Sequence, residues 1–166
     1  MQATITQMLG GLAGENQRIA LGPILRAIGD RMSSQATSTA GLVISATTTK
    51  AKTGAVAFAG VANGIPVAIA AGTDMPVLTT ANNISAGKFG IICFFIDNAS
   101  TVTAVSGVEG ATLALAKFPT FPEGKCLVGY LVITYASPFI GGTTVLSTAT
   151  TVYVSPVGAF DPTINL

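Results

Sequence analysis

The chain has 166 residues, of which 49% are hydrophobic and only 9% charged, against about 25% charged in an ordinary soluble domain. That length fits one domain rather than separate substrate and cofactor halves. Histidine and tryptophan are absent, which excludes Ser-His-Asp and Cys-His catalysis and removes the commonest metal ligand. Eight Lys and Arg against seven Asp and Glu leave a net charge of +1. They do not gather into a stripe able to neutralise a row of phosphates, so no nucleic-acid partner is expected.

The opening MQATITQMLGGLAGENQR lacks a basic n-region and a continuous apolar core, and does not read as a secretory signal. Five of the charges, Glu15, Arg18, Arg26, Asp30 and Arg31, fall within the first 33 residues. In the same stretch Leu21, Ile24, Leu25, Ile28 and Met32 recur at helical spacing, with Arg26, Asp30 and Arg31 off that stripe. The pattern predicts an amphipathic helix. Pro23 fits its first turn, where the missing N–H needs no partner, so the regular helix is expected over about 23–33, preceded by a looser helical arm. Such a stripe commonly docks on its own domain. Leading an otherwise β-rich chain, it is also a candidate interchain contact, and these five apolar residues are the candidate contacts with further copies or with a partner. The domain division that follows is an arm over 1–37 and a β domain over 38–166.

From Ser38 onward the texture changes to Thr, Val, Ala, Ile and Gly, in short apolar runs broken by Gly, Pro and Asn. Strands are expected near 42–47, 55–61, 65–71, 76–80, 89–97, 101–106, 111–116, 126–136 and 151–155. Asn63-Gly64 is the strongest turn signal, since both residues tolerate the positive φ of a two-residue hairpin loop. The runs Phe89–Ile96 and Leu127–Ile133 are apolar at nearly every position and should be covered on both faces. Thr151-Val152-Tyr153-Val154 alternates instead, as a strand with one wet face does. Eight or nine such strands with no helical pattern between them predict a mainly β fold: an antiparallel β-sandwich, with a jelly roll as the leading topology.

Residues 126–160 carry no charge. Pro138, Gly141-Gly142 and Pro156 interrupt them, and no run of about 20 apolar residues results, so no transmembrane helix and no membrane partner is expected. A sandwich alone in solution needs charged edges and a polar skin. The shortage of charge therefore points to a surface that partners cover.

Little chemistry is proposed by the side chains. The carboxylates Glu15, Asp30, Asp74, Asp97, Glu109, Glu123 and Asp161 show no paired spacing for acid–base work and no calcium-loop clustering. No glycine run has the form of a phosphate-binding loop. Cys93 and Cys126 sit in apolar runs without CxxC spacing, as buried free thiols do, although a disulfide between core strands stays open. No catalytic, cofactor-binding or metal-binding residue is therefore assigned, and the chain does not read as an enzyme. Tyr130, Tyr135, Tyr153, Phe118 and Phe121 could line a shallow sugar-binding face or pack in the core.

Several segments carry a resemblance. Ala86-Gly87-Lys88-Phe89 leads into an apolar strand ending Ile96-Asp97, followed by Thr101-Val102-Thr103-Ala104 and Gly107-Val108-Glu109. Next comes Phe118-Pro119-Thr120-Phe121-Pro122-Glu123-Gly124-Lys125, running into Cys126-Leu127-Val128-Gly129-Tyr130 and then Leu131-Val132-Ile133. Phe139-Ile140-Gly141-Gly142-Thr143-Thr144 and Thr151-Val152-Tyr153 complete the series. This stretch, about 86–155, resembles a pattern recurrent in tailed-bacteriophage virion proteins. The resemblance implies a capsid-associated protein of the cement, decoration or head-fibre kind, made in the host cytoplasm and located on the capsid surface. Its partners would be the major capsid protein and further copies of itself, a trimer among the options, and the family offers no catalytic residues to carry over. A tail, baseplate or fibre component and a carbohydrate-binding host-attachment module are the alternatives.

Overall fold

The central strands are those whose sequence is apolar at almost every position. In a computed structural model of the chain, which describes residues 15–160, β6 (Phe89–Ile96) and β8 (Cys126–Thr134) lie side by side in the middle of a four-stranded sheet, flanked by β7 (Val102–Ser106) and β9 (Thr150–Val154) in the order β7-β6-β8-β9. Every strand pairing is antiparallel. The fold is mainly β, as the sequence predicts. Residues 1–14 of the expected arm, residues 161–166 with Asp161, and the side chains of Glu15, Arg18 and Arg31 lie outside the described residues.

Ile92, Phe94 and Ile96 of β6 point to one face of this sheet, and Ile91, Cys93 and Phe95 to the other. Both faces are covered, as expected. The first packs against Phe58 and Ala62 of β4 (Phe58–Ala62) and Val67 and Ile69 of β5 (Ile65–Ile69), with Met75, Leu78, Phe139 and Leu146 from the connections. β4 and β5 belong to a three-stranded sheet of order β1-β4-β5, in which β1 is the short Gln35–Ala36. The second face is covered by loop side chains, Ala116, Phe118, Phe121 and Phe160. Each fully buried large apolar side chain contributes about 1.5–3 kcal/mol, so β6 and β8 carry much of the fold's stability.

Which residues of β8 reach which face is decided by a bulge. Phe94 pairs with Gly129 but Phe95 with Leu127, leaving Val128 as the extra residue. Before the bulge Cys126 and Val128 enter the first core; after it Leu131 and Ile133 do so. Gly129 sits at the phase change because nothing larger fits: a Cβ there would lie 2.6 Å from both Leu42 Cδ1 and the Val154 carbonyl oxygen.

The Asn63-Gly64 hairpin joins β4 to β5 with Ala62 opposite Ile65, and both loop residues have positive φ, 51° and 78°. This agrees with the sequence reading. β7 (Val102–Ser106) and β9 (Thr150–Val154) form the edges of the large sheet, and β2 (Val43–Ile44) pairs with β3 (Ala51–Lys52) as a separate ribbon.

Three expectations need correction. Residues 111–116 form no strand. Val108 and Lys117 exchange backbone hydrogen bonds at 3.0 and 2.9 Å, so the chain between them doubles back as a loop containing a 3-10 turn, Leu113–Leu115. Residues 76–80 are also outside any ladder: Pro76 has no N–H to donate, and the Thr79 N–H turns to Asn82 Oδ1 at 2.9 Å, opening a 3-10 turn over Thr80–Asn82. The helix α1 runs over Glu15–Ser33, through Pro23 rather than from it. Proline inside a helix costs about 3 kcal/mol, and Gly22 beside it adds about 1, but Glu15–Leu21 before the pair are mostly good helix formers that carry the helix across.

Candidate interaction surface

Three hydrogen bonds set the end of α1 on the β body. Asp30 Oδ1 accepts the Gly124 N–H at 2.8 Å, the Ser33 carbonyl accepts the Gly64 N–H at 2.8 Å, and the Asn63 N–H donates to Ser34 Oγ at 3.0 Å. The hairpin turn and the loop before β8 thus hold the last turn of the helix. A helix advances about 100° per residue, so Asp30 lies about 180° around the axis from Leu21. The tethered face is opposite the apolar stripe.

The stripe accordingly faces outward. Leu21, Ile24, Ile28 and Met32 are 38, 54, 49 and 69% exposed, and Leu25 is half-buried. A stripe docked on its own domain, the commoner arrangement, is therefore not what forms here. The sequence places all five residues on one face but is silent about which face the body holds. Asp30 decides that, a role its place off the stripe left unassigned; its position directly opposite the stripe was the available signal.

Further apolar side chains are uncovered elsewhere. Val108 and Leu115 in the loop between β7 and β8, Val56, Val157, and Val152 on edge strand β9 are each more than half exposed. β9 carries the sequence Thr-Thr-Val-Tyr-Val, without the charge or proline that usually guards an edge. No helix among the described residues is long and apolar enough to cross a membrane.

The polar chemistry is committed to structure. Asp74 accepts from Ser45 Oγ, and Asp97 accepts the N–H groups of Ala99 and Thr101 in a turn. The Ser85 N–H bonds to Glu109 and holds that carboxyl below its ordinary pKa. Among the described residues no three metal-ligating side chains come together, and no buried side-chain nitrogen or oxygen lacks a hydrogen bond. Comparison with protein-family models, curated proteins and solved structures finds no match to this chain.

The aromatic set is divided by the sheet. Phe118 meets Tyr130 edge-on with ring centroids 4.9 Å apart, and Phe95 meets Phe121 at 5.0 Å, all on the second face. Tyr135 and Tyr153 pack against the first core instead, so the five candidates do not form one sugar-binding face. A cleft of about 240 Å³ lies between the end of α1, residues 120–125 and residues 156–160, with Asp30, Phe121, Lys125 and Phe160 in its wall. Ligand sites usually exceed about 300 Å³, and both charged groups in this wall have partners, Gly124 for Asp30 and Thr103 Oγ1 at 3.3 Å for Lys125.

Proposed function

We propose that the chain is a bacteriophage virion structural protein that binds the outside of the capsid shell and stabilises it as a cement or decoration protein, without catalysis. The reading takes the two larger sheets as the halves of an antiparallel sandwich, of jelly-roll descent. The observation that carries it is the outward-facing, uncharged stripe Leu21, Ile24, Ile28 and Met32, in a chain whose Asp30, Asp74, Asp97 and Glu109 each accept hydrogen bonds from the chain itself. Its resemblance over about 86–155 to tailed-phage virion proteins adds the shell as the setting.

The mechanism is linkage. A protein that binds the assembled, expanded shell and not its free subunits stabilises that shell by the difference in affinity. Repetition over symmetry-related sites makes modest contacts collectively large. A surface poor in charge loses little by being desolvated in such contacts.

The test is peptide mass fingerprinting, with copy counting, of virions of the phage whose genome carries this chain. Many copies per particle are expected, together with earlier shell rupture on heating when the chain is deleted. Absence from the particle overturns the proposal, and a few copies per particle assigns the chain to the tail instead.

A further inference from the structure

The outward stripe has the spacing of a seam. Leu21, Leu25, Ile28 and Met32 are separated by four, three and four residues, the alternation that keeps apolar side chains facing a partner helix through a supercoil. Leu25 and Met32 then take one set of core positions (a), Leu21 and Ile28 the other (d), and Ile24 flanks them at g. No charged residue stands within the seam from Leu21 to Met32. Asp30 falls at the outermost position (f), and that is the position bonded to Gly124 of the β body. The body holds the back of the helix and leaves Leu21, Ile28 and Met32 exposed, with Leu25 half-buried between them.

The helix needs that seam covered. It has Gly22, Pro23 and Gly29 in its interior, each costing about 1–3 kcal/mol relative to alanine, and most helical stability comes from packing of an apolar face rather than from propensity. The exposed apolar area of the stripe is on the order of 400 Å², about half of the roughly 800 Å² per partner in a standard interface. Two copies meeting at one side of the helix fall short of that. Three or four copies around a common axis bury each stripe against two neighbours, and leucine at a followed by isoleucine at d favours those higher orders over a dimer.

The flanks choose the direction. In a parallel bundle a g residue packs beside the e residue five positions on in the neighbouring chain. Here that pairs Ile24 with Gly29, both exposed, so the bulky flank meets a helix surface with no side chain. We infer that α1 is a parallel self-association seam whose occupant is further copies of this chain, three or four around one axis. This deepens the capsid reading by naming the partner of the stripe. The two fail separately, since absence from virions removes the capsid role and leaves the bundle standing.

The experiment uses the purified full chain. Sedimentation equilibrium should give a mass three or four times that of the monomer, and Ile28→Asp should bring it to the monomer at the same concentration. Direction is read from Leu21→Cys and Met32→Cys, each oxidised alone. A parallel seam cross-links each variant to itself, whereas an antiparallel one cross-links only the mixture of the two. A monomeric wild-type chain overturns the inference, as does cross-linking confined to the mixture. The cysteine pair also keeps the test decisive if Ile28→Asp fails to fold.

Discussion

Cys93 and Cys126 stand on opposite faces of one sheet. Cys93 pairs with Tyr130 across β6 and β8 and packs with Ile91, Phe95 and Leu127, while Cys126 pairs with Ile96 and packs in the core shared with β4 and β5. Both are free and fully buried, so the disulfide left open by the sequence does not form. The thiolate is the reactive species, and burial pushes the Cys93 thiol strongly up and the Cys126 thiol up to about 11. A chromogenic disulfide reagent at pH 8 is expected to find close to no reactive thiol in the folded chain and two per chain in denaturant. Fast reaction of either cysteine in the folded chain would contradict this packing.

The same shifts fix the alkaline limit of stability. An acid whose pKa is raised by folding stays neutral in the folded chain while it ionises in the unfolded one, so its stabilising contribution is intact below the unfolded value and lost as pH rises. For the thiols the loss starts near the ordinary value of 9.0 and, for Cys126, proceeds to about 11. Desolvation raises Tyr130 and Tyr153 from 10.0 in the same sense. Urea midpoints are expected to be insensitive to these groups at pH 7–8 and to fall between pH 9 and 11. Cys126→Ala should flatten part of that fall.

Gly129→Ala tests the bulge. The added Cβ meets Leu42 Cδ1, which can move, and the Val154 carbonyl oxygen on the neighbouring strand, which cannot move without disturbing the β8–β9 pairing. Overpacking of this kind costs about 1–3 kcal/mol, to be read as a lower urea midpoint with an unchanged slope. The neighbouring Val128→Ala removes buried methyl groups without a clash and should cost less than a larger truncation such as Phe94→Ala.

How much of this was legible in the sequence depended on the kind of signal. The central strands declared themselves, because covering both faces forces apolar residues at every position, as in Phe89–Ile96. The Asn63-Gly64 turn was legible because few other pairs accept two positive φ values. β1 and β3, two residues each, leave no periodicity to find, and the failed strand at 111–116 has strand-like composition but no neighbour to pair with. At the interaction surface the stripe was visible and its direction was not. Direction depends on Asp30 reaching Gly124, 94 residues away, and no local pattern carries that information.

Gly64→Ala probes the joint between body and helix. Its φ of 78° costs an L residue about 1–2 kcal/mol, and its N–H holds the Ser33 carbonyl at the end of α1. The substitution should lower the thermal midpoint. It should also speed amide exchange in the last turn of α1 more than in β6, where the neighbours are unchanged. Equal acceleration in both elements would show that the turn does not hold the helix.

Asn82 is one of three buried polar side chains among the described residues, the others being Ser45 and Thr53, and its two ends do different work. Oδ1 accepts the Thr79 N–H at 2.9 Å and closes the 3-10 turn, while Nδ2 donates to Ser106 Oγ at 2.8 Å on edge strand β7. Asn82→Ala loses both bonds, at about 1–3 kcal/mol. Asn82→Asp tests the burial of the site. Its carboxylate still accepts from Thr79 but cannot donate to Ser106, whose hydroxyl must turn to donate instead, and burial of the charge raises its pKa above the unfolded value. A raised acid loses its stabilising contribution as pH rises, so Asn82→Asp should come closest to the wild-type chain near pH 4, where the protonated carboxyl can donate, and fall behind it by pH 7. Urea midpoints at the two pH values provide the comparison. An equal deficit at both would mean that burial does not raise the new carboxyl's pKa, against the packing of Asn82 described above.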